Sequence, residues 1–440
     1  MVIELPEKVK YVIDTLMDAG YEAYAVGGCI RDSILGRKPE DWDITTSANP
    51  MQVKELFRRT IDTGIQHGTV TVMLEKEGFE VTTYRIDGEY EDGRHPKEVV
   101  FTSNLIEDLK RRDFTINAMA YNEKDGLVDA FCGIEDLEKK VIRCVGNPEE
   151  RFGEDALRMM RAVRFAAQLG FSIEKNTKRA IVELAGNLSK VSAERIQVEL
   201  VKLLVSNHPE EFMTAYETGL TKVFLPEFDA MIKTPQNNKH HCYNVGEHTI
   251  ETVKNSPQDK ILRLTMLLHD VAKPVCKSVD EQGIYHFYGH PAKGAEMAKD
   301  ILRRLKFDND TIRKVTALIK HHDDMPSLEP VAIRRAIHKT GLEQYPALFA
   351  VKRADTMGKN LYKRDEKLAY IAEYQRMYEE ILEKGQCLTL KDLAVTGKDL
   401  LAAGVKPGKE VGNILDQMLS HVLEYPEDNQ KEILMKRIKN

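Results

Sequence analysis

The sequence predicts an α+β protein: a mixed β-sheet head on an otherwise all-α chain. Three observations carry this. Up to about residue 145, short apolar runs of strand character alternate with short helical patterns. After Pro148 the strand signals fade, and from Glu154 the chain reads as helices almost to its end. Between Gly27 and Thr46 a glycine turn, a short helix and two carboxylates at i, i+2 follow one another closely.

The bulk numbers set limits. With 440 residues, 42% hydrophobic and 30% charged, the chain can bury several cores and has the balance of a soluble protein. It has no run of 18 or more apolar residues, and Met1-Val2-Ile3-Glu4-Leu5-Pro6 lacks a signal-peptide pattern, so a cytoplasmic location and no membrane partner are expected. Six cysteines (29, 132, 144, 242, 276, 387) form no CxxC pair and read as reduced thiols, not a disulfide frame or a zinc cage. A net charge of -6 does not advertise a nucleic-acid binder, yet a local basic groove suffices to hold phosphates.

In chain order, Tyr24-Ala25-Val26 reads as a buried strand, Gly27-Gly28 as its turn, and Cys29 to Leu35 as a helix stopped by Gly36. The next strand is expected to carry Asp41 and Asp43 into Ile44-Thr45-Thr46. Residues two apart on a strand share a face. Both carboxylates would then address one point, beside a turn open enough for a triphosphate to approach its backbone. That is the geometry of two-metal phosphoryl or nucleotidyl transfer. Asn49-Pro50 caps the following helix, with proline at the first helical position. Thr69 to Glu75 and Phe79 to Arg85 read as a hairpin turning at Glu77-Gly78, and residues 86 to 98 as a polar loop. Glu80 is either a third carboxylate near the metals or an edge-strand charge.

Arg111-Arg112-Asp113 offers paired guanidinium groups, which clamp polyphosphates better than lysine does. The residues alone leave open a basic pair at a helix C-terminus. In Glu154-Asp155-Ala156-Leu157-Arg158, helical spacing places Asp155 and Arg158 at i, i+3, and Arg161 and Arg164 continue the row. Such a row is either a salt-bridged helix face, nearly neutral in energy, or a base reader. Asp155 can accept from the exocyclic amino group of cytosine or adenine while Arg158 donates to the adjacent ring acceptors. Uracil would oppose a carbonyl to the carboxylate, a mismatch that discriminates strongly.

The string GGCIRDSILGRKPEDWDITT resembles the nucleotidyltransferase signature of the bacterial class II tRNA CCA-adding enzyme and poly(A) polymerase family. RRDFTINAMA resembles that family's second motif, EDALRMMRAVRFAAQLGF its EDxxR motif, and Asp129 to Leu137 its hinge. The resemblance covers about residues 20 to 205 with specific motifs and extends more loosely beyond. It implies a polymerase-β-like nucleotidyltransferase head at 1–145, a base-recognising neck at 146–205, a helical body with an HD-type domain at 206–360 and a helical tRNA-binding tail at 361–440. The implied activity is template-independent addition of CCA to the 3′ end of tRNA from CTP and ATP, releasing pyrophosphate. In it Asp41 and Asp43 hold two Mg²⁺ ions, and Gly28, Arg31 and Arg112 cradle the triphosphate. Asp155 and Arg158 choose the base, with Arg161 and Arg164 supporting nucleotide binding. The implied partners are tRNA, CTP and ATP, with no DNA, and the RNA is gripped through phosphates and shape. The loop at 83–99 occupies the place of the family's flexible loop, associated with the switch from C to A and typically lacking in its CC-only branch. Poly(A) polymerases and A-adding enzymes share the fold, and these motifs separate them poorly. The oligomeric state is not legible in the sequence.

A second constellation lies in the helical part. Glu247-His248, then Leu267-Leu268-His269-Asp270, then Ala354-Asp355 resemble the H…HD…D pattern of HD-domain phosphohydrolases. The pattern implies a second divalent metal held by His248, His269, Asp270 and Asp355, since imidazoles and carboxylates on facing helices suit a transition metal or Mg²⁺ and an activated water. His290 and His321-His322-Asp323-Asp324 add candidate ligands. Chain breaks are expected near 234–238 and 358–360. A second class of function is thereby open, a phosphohydrolase whose head merely binds nucleotide or RNA. Asp41→Ala separates the two: the transferase reading expects nucleotide incorporation into tRNA to be abolished, and full activity in that variant would favour the phosphohydrolase.

Overall fold

The computed structural model describes residues 1–87, 99–237 and 243–437; most of the expected polar loop, from residue 88 on, and Cys242 lie outside them. The chain divides into two compact units, Met1–Pro226 and Glu227–Asn440.

The first unit is built on a seven-stranded mixed sheet. Its spatial order is Thr60–Gly64, Thr69–Leu74, Glu77–Thr83, Ile44–Thr46, Ala23–Val26, Ala120–Asn122 and Gly126–Val128. Only Ile44–Thr46 and Glu77–Thr83 run parallel, with Ile44 opposite Val81. The strand Ala23–Val26 is buried at all four positions. The helix Glu7–Asp18 covers the sheet because Val9, Val12, Ile13 and Leu16 fall on one face at helical spacing and are all buried. Tyr24, Val26, Tyr84, Leu105, Leu109 and Val145 gather into one apolar cluster. Asn49 caps the helix Pro50–Leu56 with a complete capping box, as Asn49-Pro50 implies.

Three local expectations are corrected. Asp41 and Asp43 precede the strand, which starts at Ile44, although the Asp43 carbonyl still accepts from Val26 N at 2.9 Å. The hairpin turns at Glu75-Lys76, since Leu74 pairs with Glu77 and Glu75 takes φ 56°; Gly78 lies within the second strand, under the Thr71 side chain. Strand structure also persists past Pro148, in Ser172–Ile173 parallel to Val141–Ile142 and in the pair Ser278–Val279 and Tyr285–His286.

Apart from that last pair, the described part of the second unit is helical, and Gly358 to Asn360 lie between two of its helices, Tyr345–Met357 and Arg364–Glu383, within that one unit. These two meet through aromatic rings, Tyr345 with Tyr378 at 5.2 Å and Phe349 with Tyr374 at 5.2 Å between centroids. Among the described residues no helix is long and apolar enough to cross a membrane, and the five described cysteines are unpaired.

Gly27 ends the buried strand at φ 87°, ψ -129°, where a side chain is strained by roughly 1–3 kcal/mol. A Cβ there would also lie 2.8 Å from Arg112 Nη1. Gly27→Ala is therefore expected to lower stability by about that amount in thermal or urea unfolding and to displace the Arg112 guanidinium.

Candidate functional site

Asp41, Asp43 and Glu80 line one cavity of about 950 Å³, together with Lys8, Lys38 and Phe79. The parallel register explains Glu80. Asp43 and Glu80 each directly precede the paired residues Ile44 and Val81, and the Asp43 charge acts on Glu80. Burial pushes the Asp43 carboxyl up, the Asp41 charge adds to this and Arg112 opposes it. Burial, Asp43 and Asp41 likewise raise Glu80. Carboxylates crowded along one cavity, two of them pushed up by burial and neighbouring carboxylate charge, form an oxygen donor set whose repulsion a divalent cation relieves, so the residues fit such an ion.

The Gly27-Gly28 turn lies against Arg112, and Gly28 opens the helix Gly28–Ile34. Asp108, fully buried, holds the arginine pair: Arg111 Nε donates to its Oδ1 at 2.9 Å, and Arg112 Nη2 lies 3.8 Å from Oδ2. Thr45 Oγ1 also donates to Oδ2, at 3.0 Å. Arg111 is the C-cap of the helix Leu105–Lys110, while Arg112 lies against the Gly27 turn and its charge acts on Asp43.

Arg31, Arg161 and Arg164 gather about the Phe165 ring, with guanidinium carbons 5.1, 5.3 and 3.7 Å from its centroid. Arg31 is buried and forks onto Asp32, and its Nη1 donates to Asn117 Oδ1 at 2.7 Å. Arg164 Nε donates to Glu199 Oε2 at 2.6 Å. Arg161 Nε donates to Asp113 Oδ2 at 2.7 Å, while Asp113 Oδ1 accepts from Phe114 N at 2.9 Å and Asn117 Nδ2 at 3.2 Å. Burial would raise the Asp113 carboxyl, but the Arg161 charge and the Asn117 hydrogen bond outweigh it and hold it at about 2.

Asp155 and Arg158 do not share a helix. The helix Pro148–Glu154 ends at Asp155 (φ -140°, ψ 103°) and the next spans Leu157–Leu169. The cause is local: Asp155 Oδ1 accepts from Leu157 N at 3.0 Å, the short side chain competing with the helix for a backbone donor. Arg195, from the helix Ala193–Leu204, forks onto Asp155 at 2.6 and 3.3 Å. Arg158 Nη1 donates to Glu154 Oε2 at 2.6 Å and its Nη2 to the Arg111 carbonyl at 2.9 Å, joining the two motifs. Arg195 is not legible from local pattern, since its partner stands forty residues away.

In the second unit, His248, His269, Asp270 and Asp355 come together as their pattern implies. His248 Nε2 lies 3.1 Å from Asp355 Oδ1, and His269 Nε2 3.2 Å from Asp270 Oδ2. All four are buried. His269 Nε2 and both Asp270 oxygens make no well-formed hydrogen bond, although Lys273 Nζ stands 2.8 Å from Oδ2. Buried donor atoms converging in this way fit a transition-metal ion.

Residues 23–143 match the family model of the poly A polymerase head domain. Residues 170–232 match one described as a probable RNA and SrmB-binding site of polymerase A, and 282–438 one described as a putative tRNA nucleotidyltransferase domain 2. The CCA-adding enzyme of Lactiplantibacillus plantarum is 37% identical over 434 residues, spanning 98% of this chain and 95% of its own. That of Ligilactobacillus salivarius is 36% identical over 452 residues, spanning 100% and 98%. The solved structure of the Bacillus stearothermophilus CCA-adding enzyme in complex with CTP aligns with a TM-score of 0.74 at 31% identity, over 99% of this chain and 98% of that one.

Asp113 titrates at about 2 in the folded chain and at about 3.9 when unfolded. Its depressed value contributes stability that is present above about pH 4 and is lost as pH falls towards 2. Asp113→Asn is expected to destabilise by on the order of 3 kcal/mol at neutral pH. In urea unfolding, the gap between variant and parent should narrow between about pH 4 and 2.

Proposed function

The chain belongs to the CCA-adding enzyme family, and from that premise we propose how its head and neck add CCA to the 3′ end of tRNA from CTP and ATP, without a nucleic-acid template and with release of pyrophosphate. The observation that supports the reading is the meeting of Asp41, Asp43 and Glu80 in one cavity while Arg112 reaches from the Gly27-Gly28 turn towards Asp43.

Asp41 and Asp43, with Glu80 beside them, would hold two Mg²⁺ ions. When bound, two such ions would supply a lowered pKa for the attacking 3′-hydroxyl, Lewis acidity at the α-phosphate and charge neutralisation for the leaving pyrophosphate. Gly28 and the side-chain-free turn admit the triphosphate to the backbone. Arg112, steadied by Asp108, places its charge there. Arg31 supports that wall through Asn117. Asp155 is pre-oriented by the Arg195 fork, and its oxygens keep further lone pairs for the amino group of cytosine or adenine. Arg158 is steadied by Glu154 and the Arg111 carbonyl as the complementary donor. Arg161 and Arg164 hold the wall behind through Asp113 and Glu199. In this reading the head is 1–145, the neck 146–205, the body 206–360 and the tRNA-gripping tail 361–440, and the protein works in the cytoplasm. A separate observation, the buried cluster His248, His269, Asp270 and Asp355, supports a divalent-metal site in the second unit.

The test is incorporation into a tRNA transcript lacking its 3′ CCA. Two additions with CTP alone and a third only when ATP is also present are expected. A long ladder with ATP alone would identify a poly(A) polymerase, and no extension would favour the phosphohydrolase. Asp155→Ala is expected to lower kcat/KM for CTP and ATP by roughly a hundredfold or more and to narrow the preference over UTP, because the pairing that rejects the wrong base is gone.

A further inference from the structure

The helix Leu105–Lys110 runs into Arg111 and Arg112. The last carbonyls of a helix find no partner within it. Here two arginines from further along the chain take them. Arg158 Nη2 donates to the Arg111 carbonyl at 2.9 Å, and Arg151 Nη1 to the Lys110 carbonyl at 3.4 Å. Glu154 spans both arginines, with Oε1 on Arg151 and Oε2 on Arg158. Arg158 Nη1 also donates to the Arg151 carbonyl at 3.1 Å. Cations at the C-terminal carbonyls of a helix are favoured by its dipole as well as by the hydrogen bonds.

The Arg111 carbonyl belongs to the peptide bond that joins Arg111 to Arg112. That unit is planar, so the two groups it carries fix where Arg112 starts. Its N–H, on Arg112, donates to the Leu109 carbonyl at 3.2 Å, and its C=O accepts from Arg158. The Arg112 side chain is held much less. Its Nη2 stands 3.8 Å from Asp108 Oδ2, and its Nε, although buried, makes no hydrogen bond among the described residues. The reach of the guanidinium is therefore set by its backbone, and Arg158 fastens one of the two ends of that peptide unit.

We infer that Arg158 is a positioning residue for Arg112 as well as a base reader, so that recognition of the base and grip on the phosphates are coupled. This rests on the reading that Arg112 meets the triphosphate and Arg158 the base. A cytosine or adenine paired with Asp155 and Arg158 holds the Arg158 guanidinium in one pose, with Nη2 on the Arg111 carbonyl. The phosphates then meet an arginine already in place. A uracil, which opposes a carbonyl to Asp155, leaves Arg158 unclamped and the phosphates less firmly held. Selection then acts on the transfer step and not only on binding, because the α-phosphate of a mismatched nucleotide sits out of line with the attacking hydroxyl.

The test separates the two halves of the nucleotide. Inorganic pyrophosphate has no base and cytidine has no phosphate, and calorimetry reads the binding of each to the full chain in Mg²⁺. Arg158→Ala is expected to weaken pyrophosphate about tenfold, the worth of one hydrogen bond to a charged group. Asp155→Ala, which leaves the Arg111 carbonyl bonded, should weaken cytidine and leave pyrophosphate unchanged. In the parent chain, saturating cytidine should tighten pyrophosphate severalfold, and pyrophosphate should tighten cytidine by the same factor, while uridine has no effect. That linkage needs no substitution and stands should Arg158→Ala fail to fold. Pyrophosphate binding unchanged by Arg158→Ala, or cytidine and pyrophosphate binding independently in the parent, would overturn the coupling and leave base reading intact. Equal weakening of pyrophosphate in both variants would overturn the assignment to Arg158. A parent chain that binds neither probe would overturn the underlying reading of the site.

Discussion

The side chain on which the transfer site depends is the Asp113 carboxylate. It is a charge taken out of water, which is costly unless every lone pair finds a partner. Two of its partners come from its own loop, Phe114 N and Asn117 Nδ2, and the third, Arg161, comes from the helix Leu157–Leu169. One ionised group therefore fixes the loop that follows Arg112 against the helix that follows Asp155. The network runs on in both directions. Asn117 passes it to Arg31 and the helix behind the glycine turn, and Glu199 joins Arg164 while standing 3.9 Å from Arg161.

The carboxylates of the first unit fall into two groups by environment. Asp113 has arginine and amide partners and is held ionised far into acid. Asp43 is raised by burial and by Asp41 against the opposing Arg112, and Glu80 by burial, Asp43 and Asp41. A well-partnered carboxylate suits a scaffold. Carboxylates that repel are retained where a positive charge arrives from outside, as a divalent cation would. Fold and chemistry are thus sorted by who faces whom, and the single parallel pair in the sheet makes the Asp43–Glu80 encounter by register. In the second unit the carbonyls of Met266 and Ile319 orient the His269 and His322 rings through Nδ1.

Much of this is legible in the sequence where the determinant is local. The glycine turn, the Asn49 cap and the amphipathic helices follow from residues within one or two turns of each other, and the sequence marks the strands at Ala23–Val26, Ile44–Thr46, Thr69–Leu74 and Glu77–Thr83 but not those at Thr60–Gly64, Ala120–Asn122 and Gly126–Val128. The motifs marked Asp41, Asp43, Arg112 and the His248, His269, Asp270, Asp355 set, and the fold brings each group to one place. What the sequence hides is non-local or competes with local pattern. Glu80 joins the carboxylates through strand register. Arg195 and Asp108 act across long separations or from within a helix that looks ordinary. The periodicity through Asp155 suggested a continuous helix, yet a side-chain cap to Leu157 N interrupts it.

The most direct test of the account is a double-mutant cycle on Asp113→Asn and Arg161→Gln, read as kcat/KM for CTP addition to a CCA-less tRNA. If the buried pair sets the spacing between triphosphate and base-reading groups, each single variant loses most of the efficiency and the double variant is no worse than the poorer single. Strictly additive losses, or a single variant with parental efficiency, would contradict the claim that this contact holds the site together.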